Sequence, residues 1–171
     1  MNGEHAKAGA ELVAGMWENE FRATCQVLGA VTDEKRDYKP DPKSRSAWQL
    51  ATHIATSDIW FLDSIINGAF KFDPEAAKQA ESQFQTIQDV VDFYKKTFPE
   101  KLRQLRGLPA EKMTEPLDFF GMMKMPRANF VVFANNHSIH HRGQLASYLR
   151  ALGSKVPDIY GPSADSEKAA K

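Results

Sequence analysis

Residues 126–153 read PRANFVVFANNHSIHHRGQLASYLRALG, and the spacing inside that stretch decides the fold. Phe130, Phe133, Ala134, Leu145, Tyr148 and Leu152 recur at the helical interval, so they share one face of a single long helix. Pro126 stands in the first turn, where a helix accepts proline, and Gly153 is a good left-handed stop. His137 and His141 are four residues apart and fall in the same sector as the apolar residues. His140 lies about 90° from the centre of that stripe at ~100° per residue.

The rest of the chain follows the same period, and strand signals are scarce. Val13, Met16, Trp17, Phe21, Val27, Leu28 and Val31 mark a first helix over about residues 4–31, with Glu20 and Thr24 inside its stripe. Pro40 and Pro42 make residues 32–46 a linker. Ser46 and Gln49 form a capping-box pattern that opens a second helix, which stops near Asn67-Gly68. Its main face is Trp48, Ala51, Ala55, Ile59, Leu62 and Ile66, while Ile54, Trp60 and Phe61 carry apolar character around it. A third helix starts near Thr86, with Asp89 in its first turn, and Pro99 is expected to kink or split it. Residues 71–85 are expected as a loop with a helical turn. Residues 107–125 form a long connection with room for a short hairpin that the sequence does not place. Four amphipathic helices predict an all-α, antiparallel four-helix bundle of residues 1–161 and a polar tail of residues 162–171, with fraying from Tyr160 onward.

Composition narrows the function classes. A chain of 171 residues and 19.2 kDa fits one domain. Lys+Arg and Asp+Glu both number 22, which argues against a basic nucleic-acid surface or a polybasic membrane patch. The single cysteine, Cys25, excludes an internal disulfide and a cysteine metal cluster. The opening MNGEHAKAGAEL lacks the apolar run of a secretory signal, and Phe130 to Ala134, the longest strongly apolar stretch, is too short for a membrane span. The expectation is a reducing, cytoplasmic setting with no nucleic-acid or membrane partner.

The histidines carry the chemistry. His5 sits in a polar terminus. His137 and His141, one turn apart, can turn both imidazoles toward one point, as a borderline metal requires. The pair alone leaves two readings open, core histidines bonded to carbonyls or metal ligands. His53, in the middle of the second helix beside Gln49, Thr56, Ser57 and Trp60, favours the metal. Metal sites in helix bundles are assembled from side chains on facing helices. Three neutral nitrogens with one open position are the pattern of a catalytic centre, whereas structural sites are closed by a fourth ligand.

Three stretches make the sequence resemble a known family: WQLATHIATSDIWFLDSIINGAF around His53, NNHSIHHRGQLASYLRALG with His137 and His141, and VPDIYGPSAD near the end. The chain resembles the DinB family, the DinB/YfiT-like metalloenzyme superfamily, from its first helix to Gly161. That resemblance implies a four-helix bundle holding a divalent metal through three histidines and water. It makes His53, His137 and His141 the ligands, with the site between the second and fourth helices, and zinc or nickel the leading metals. Relatives with an assigned activity point to an S-transferase or isomerase that uses a low-molecular-weight thiol. A metal-dependent hydrolase and a non-catalytic, stress-linked binding bundle are the alternatives. The implied partner is a small-molecule substrate, with a thiol as cosubstrate.

Other residues have two readings. Glu20, inside the apolar stripe, is expected in a salt bridge or hydrogen bond to a neighbouring helix. Its functional reading is a general base or an acceptor for a ligand histidine. Gln144 and Tyr148 continue the histidine face. Arg142 and Arg150 are expected on the outer face, with Arg142 also able to pair with a carboxylate. Met113, Met122, Met123 and Met125 with Phe119 and Phe120 read as core or as an adaptable lid. Cys25 reads as a small buried residue. The apolar surplus of the second helix and of the lid segment predicts a homodimer, as does the family resemblance.

Overall fold

The computed structural model describes residues 2–166. Five helices and one hairpin follow in order: α1 (Gly3–Gly29), α2 (Ala47–Asn67), α3 (Pro74–Ser82), α4 (Ile87–Arg106), β1 (Pro116–Phe119), β2 (Met123–Pro126) and α5 (Arg127–Tyr148). α1 and α2 each pack against both α4 and α5, so the four long helices enclose one core. No helix among the described residues is long and apolar enough to cross a membrane.

The helix ends obey local chemistry. The Ser46 side chain accepts from Gln49 N while Gln49 Oε1 accepts from Ser46 N, a complete capping box. α2 stops at Gly68, which adopts φ 80°. A Cβ at that glycine would run into the Arg127 guanidinium. That guanidinium is there because it donates to the last carbonyls of α2, Ile65 O and Ile66 O, at 2.8 and 2.9 Å. Thr86 and Asp89 cap α4 in the same reciprocal way as Ser46 and Gln49.

Several expectations need correction. The fold is mostly helical, and the hairpin for which the connection had room is residues 116–126, antiparallel with Leu117 opposite Met125. Its turn has positive φ at Phe120 (54°) and Gly121 (73°), with Met122 N donating to Phe119 O. Turns of this hand normally carry Asn-Gly, so a Phe-Gly turn leaves no sequence signal. Residues 74–82, expected as loop, form the nine-residue α3, capped by Asp73 with Pro74 at its start. α3 buries no residue, and its only apolar side chains besides Pro74 are small alanines, a weak signal for a helix. α4 runs unbroken through Pro99, held by Phe98 and Leu102, each 1% exposed. Trp17 meets Phe98 edge-on at 5.4 Å, and Phe21 stacks on Tyr94 and Phe98.

On α1 the buried seam is Ala6, Ala10, Ala14 and Trp17, and Met16 is exposed. Regular helix in α5 ends at Tyr148, and the chain reaches Gly153 (φ 81°) through turns. The stretch expected to fray from Tyr160 is tied down as far as residue 166. Asp165 accepts from Arg150 Nε and Val156 N, and Tyr160 reaches α1. The end of the expected tail, residues 167–171, lies outside the described residues. Most of α2 is buried by its own chain, so its all-round apolar character needs no second subunit.

Candidate metal centre

α2 and α5 bring His53, His137 and His141 together. The i, i+4 spacing stacks the last two on one side of α5, and α2 presents His53 opposite them. Ring centroids are 4.5 Å apart for His137–His141, 4.6 Å for His53–His141 and 5.2 Å for His53–His137. One ring nitrogen from each lies within 4.8 Å of the other two, so the group could hold a metal ion. His140 is exposed, and its ring stands 4.9 Å from that of His141, outside the group.

All three imidazoles are half-buried, and burial is the main force on their protonation. It pushes His53 down to about 3 and His137 down to about 4, and it lowers His141 as well. The Arg45 charge pushes the same way at each ring. The rings are therefore neutral at neutral pH, the form that ligates metals. His141 Nδ1 lies 3.2 Å from Gln144 Oε1, a contact in which the ring N–H donates and Nε2 keeps its lone pair free. His137 Nδ1 is buried and has no hydrogen-bond partner among the described residues. An orphaned imidazole nitrogen in a cluster of neutral donors fits a borderline divalent cation.

Beside the triad is a cavity of about 620 Å³. His53 and His137 line one part of it, and Trp60, Phe61, Phe119 and Phe133 line another. α3 and the hairpin turn, the two elements the sequence left unplaced, also line it through Ala77, Phe120 and Met122. The methionine- and phenylalanine-rich segment divides between core and cavity wall. Met113 and Leu117 are core, whereas Phe120 and Met122 are exposed at the lip.

The buried side of α5 includes Phe130, Ala134, Leu145 and Tyr148, as the spacing predicts, and it also takes in the polar Asn135, Ser138 and Arg142, which the spacing does not announce. Arg142, expected on the outer face, is 2% exposed. It pairs with the Glu20 carboxylate at 2.5 Å and donates to Tyr160 Oη at 2.8 Å, and the Tyr160 hydroxyl donates to Glu20 at 3.0 Å. Glu20 thus makes a salt bridge between α1 and α5.

Asp58, which periodicity did not single out, is fully buried on α2. Its Oδ2 accepts from Tyr94 Oη and from Ser138 Oγ, both at 2.8 Å. This carboxyl joins α2, α4 and α5, and its α5 partner is the residue next to His137. Burial pushes Asp58 up to about 7, partly offset by those two hydrogen bonds. The folded protein therefore keeps a proton that the unfolded chain, with a carboxyl near ~3.9, releases. That contribution is fully present below about pH 4 and is lost as pH rises toward 7. The histidines act oppositely. The unfolded chain binds their protons below about 6.5, so their contribution grows with pH. Asp58→Asn isolates the carboxyl, and its stability relative to wild type should improve between about pH 4.5 and pH 7.5 in urea unfolding. A pH-independent difference would return Asp58 to the ordinary carboxylate range.

The comparisons with known proteins place the chain in a family. The chain is 27% identical over 148 residues to the uncharacterized protein YrdA of Bacillus subtilis, covering 86% of this chain and 85% of that one. It is 31% identical over 141 residues to the uncharacterized protein YjoA of the same organism, covering 80% of this chain and 86% of that one. The crystal structure of a DinB-like protein from Bacillus cereus superposes with a TM-score of 0.71 at 28% identity, covering 88% of this chain and 97% of that one. The crystal structure of DinB-like YjoA matches with a TM-score of 0.68 at 24% identity, covering 89% of this chain and 99% of that one. The sequence pattern of the DinB family spans residues 5–169, and the chain belongs to the DinB family.

Proposed function

We propose that the protein binds one divalent transition metal, zinc or nickel, through His53, His137 and His141. In this reading it is a metal-dependent enzyme acting on a small molecule held in the adjoining cavity. The observation that carries it is three neutral imidazole nitrogens within 4.8 Å of one another beside an aromatic cavity. When bound, the ion supplies Lewis acidity that lowers the pKa of a nucleophile at its open position. The residues do the rest. Gln144 fixes the tautomer of His141, Phe61 packs edge-on to His137 at 5.1 Å, and the aromatic wall keeps water from the reacting group. The packing of α1, α2, α4 and α5 supports a four-helix bundle as the frame.

A low-molecular-weight-thiol-dependent S-transferase suits this site better than a hydrolase. A hydrolytic water calls for a protein base. The cavity carboxylates, Asp73 and Glu81, belong to α3, and Glu20 is committed to Arg142 and Tyr160. A thiol, which ionises far more readily than water, needs less help. The test is elemental analysis after mild purification, then a screen of small thiols against apolar electrophiles. Turnover of an ester or amide without thiol dependence would favour the hydrolase, and no turnover of either kind would favour the non-catalytic bundle.

His140→Ala should retain the metal at about one ion per chain, because its ring lies outside the triad. Loss of metal in that variant, with retention in His141→Ala, would reassign the ligand. A homodimer remains part of the proposal through the exposed Phe72, Phe120 and Met122, and a monomeric mass by light scattering would remove it.

A further inference from the structure

The cavity beside the histidines has two unlike kinds of lining. The polar part includes Arg45, Lys71, Thr56, Ser57, His53 and His137. Ser57 is 9% exposed, and its Oγ is buried with no hydrogen-bond partner among the described residues. Arg45 immediately precedes the capping Ser46 and forms no ion pair among the described residues. A free guanidinium and an orphaned hydroxyl lining one cavity are complementary to an anionic oxygen.

The rest is largely aromatic. Trp60 stacks on Phe120 with centroids 6.4 Å apart and planes 6° from parallel, and Phe119 and Phe133 also line the cavity. The apolar residues that α3 adds are the small Ala76, Ala77 and Ala80. Phe120 is held at φ 54°, and backbone strain of this kind is typical of ligand sites. Asp73 and Glu81 also line the cavity, both from α3, and Asp73 accepts hydrogen bonds from Glu75 N and Ala76 N at the start of that helix.

From this lining we infer that the cavity takes a small molecule with a flat apolar body and one anionic group, the anion lodged against Arg45 and the Ser57 hydroxyl. The inference rests on the reading of the histidines as the reactive end. The anion would then fix which part of the substrate is presented to them. A cavity of about 620 Å³ matches a molecule of two or three fused or linked rings.

The test is calorimetric titration of the full chain with 2-naphthoate and with its neutral twin 2-naphthalenemethanol. Both are run on chelator-treated and on metal-loaded protein, with metal content measured in each sample. The acid should bind once per chain and about tenfold more tightly than the alcohol, even without metal, as one charge-assisted contact gives. Arg45→Gln should bring the two within about twofold by weakening the acid alone. Ala77→Phe should block both; because α3 buries no residue, that variant should fold. Equal affinities in the wild type, a preference that survives Arg45→Gln, binding unaffected by Ala77→Phe, or no binding of either compound would each overturn the inference. A wild type that shows the preference yet never retains metal would sink the metal reading and leave the anion site standing.

Discussion

Replacing His137 and His141 together by alanine should abolish metal retention, from about one ion per chain to less than about a tenth, since one imidazole cannot hold a borderline cation at micromolar concentration. The far-ultraviolet circular dichroism should stay that of the wild type. Both rings are only half-buried, and the buried face of α5 is carried by other residues, among them Phe130, Ala134, Ser138, Arg142 and Leu145. Gln144→Leu should give a graded version of the same result. It leaves the three nitrogens in place but frees the His141 ring to rotate and change tautomer, and losses of this kind run to about 10–100-fold in metal affinity. Stoichiometric metal in the double variant would mean that the ion binds elsewhere.

Arg142→Ala is expected to be the most damaging single change to stability, at about 3–5 kcal/mol. The guanidinium is 2% exposed, and its removal leaves the Glu20 carboxylate without its cation, with only the Tyr160 hydroxyl still donating to it. For a chain of this length the loss corresponds to a fall of about 10 °C in Tm, measurable by calorimetry. The combination Glu20→Gln with Arg142→Met should recover much of it, because a buried pair replaced as a unit leaves no uncompensated charge. A cost below about 1 kcal/mol for Arg142→Ala would mean that water reaches the pair and screens it as on a surface.

Arg142 also shows where sequence reasoning ran out. Hydrophobic periodicity locates the buried face of a helix by its apolar residues, and on α5 that face carries Ser138 and Arg142. The predicted stripe of Phe130, Ala134, Leu145, Tyr148 and Leu152 is buried, but the polar residues buried beside it leave no mark in a pattern of apolar spacing. Asp58 was missed for the same reason, since a buried carboxyl satisfied by Tyr94 and Ser138 looks like a surface residue in a pattern of polarity. α3 presents alanines to an open cavity, so no packing stripe announced it. What was legible followed from strong local rules. The reciprocal caps at Ser46 and Thr86 and the left-handed Gly68 bounded the helices where the sequence put them. The histidine triad was legible because i, i+4 spacing fixes two of its members by geometry alone. His53 needed only the expectation that its helix faces theirs.

The most direct test is X-ray absorption at the edge of the metal retained by the purified protein. Three imidazoles in the first shell, at about 2.0–2.1 Å and with the outer-shell scattering of the rings, are expected for the wild type. The same spectrum from His53→Ala should show two at most. A first shell made only of oxygen, or a spectrum unchanged by His53→Ala, would contradict the assignment of His53, His137 and His141 as the metal centre.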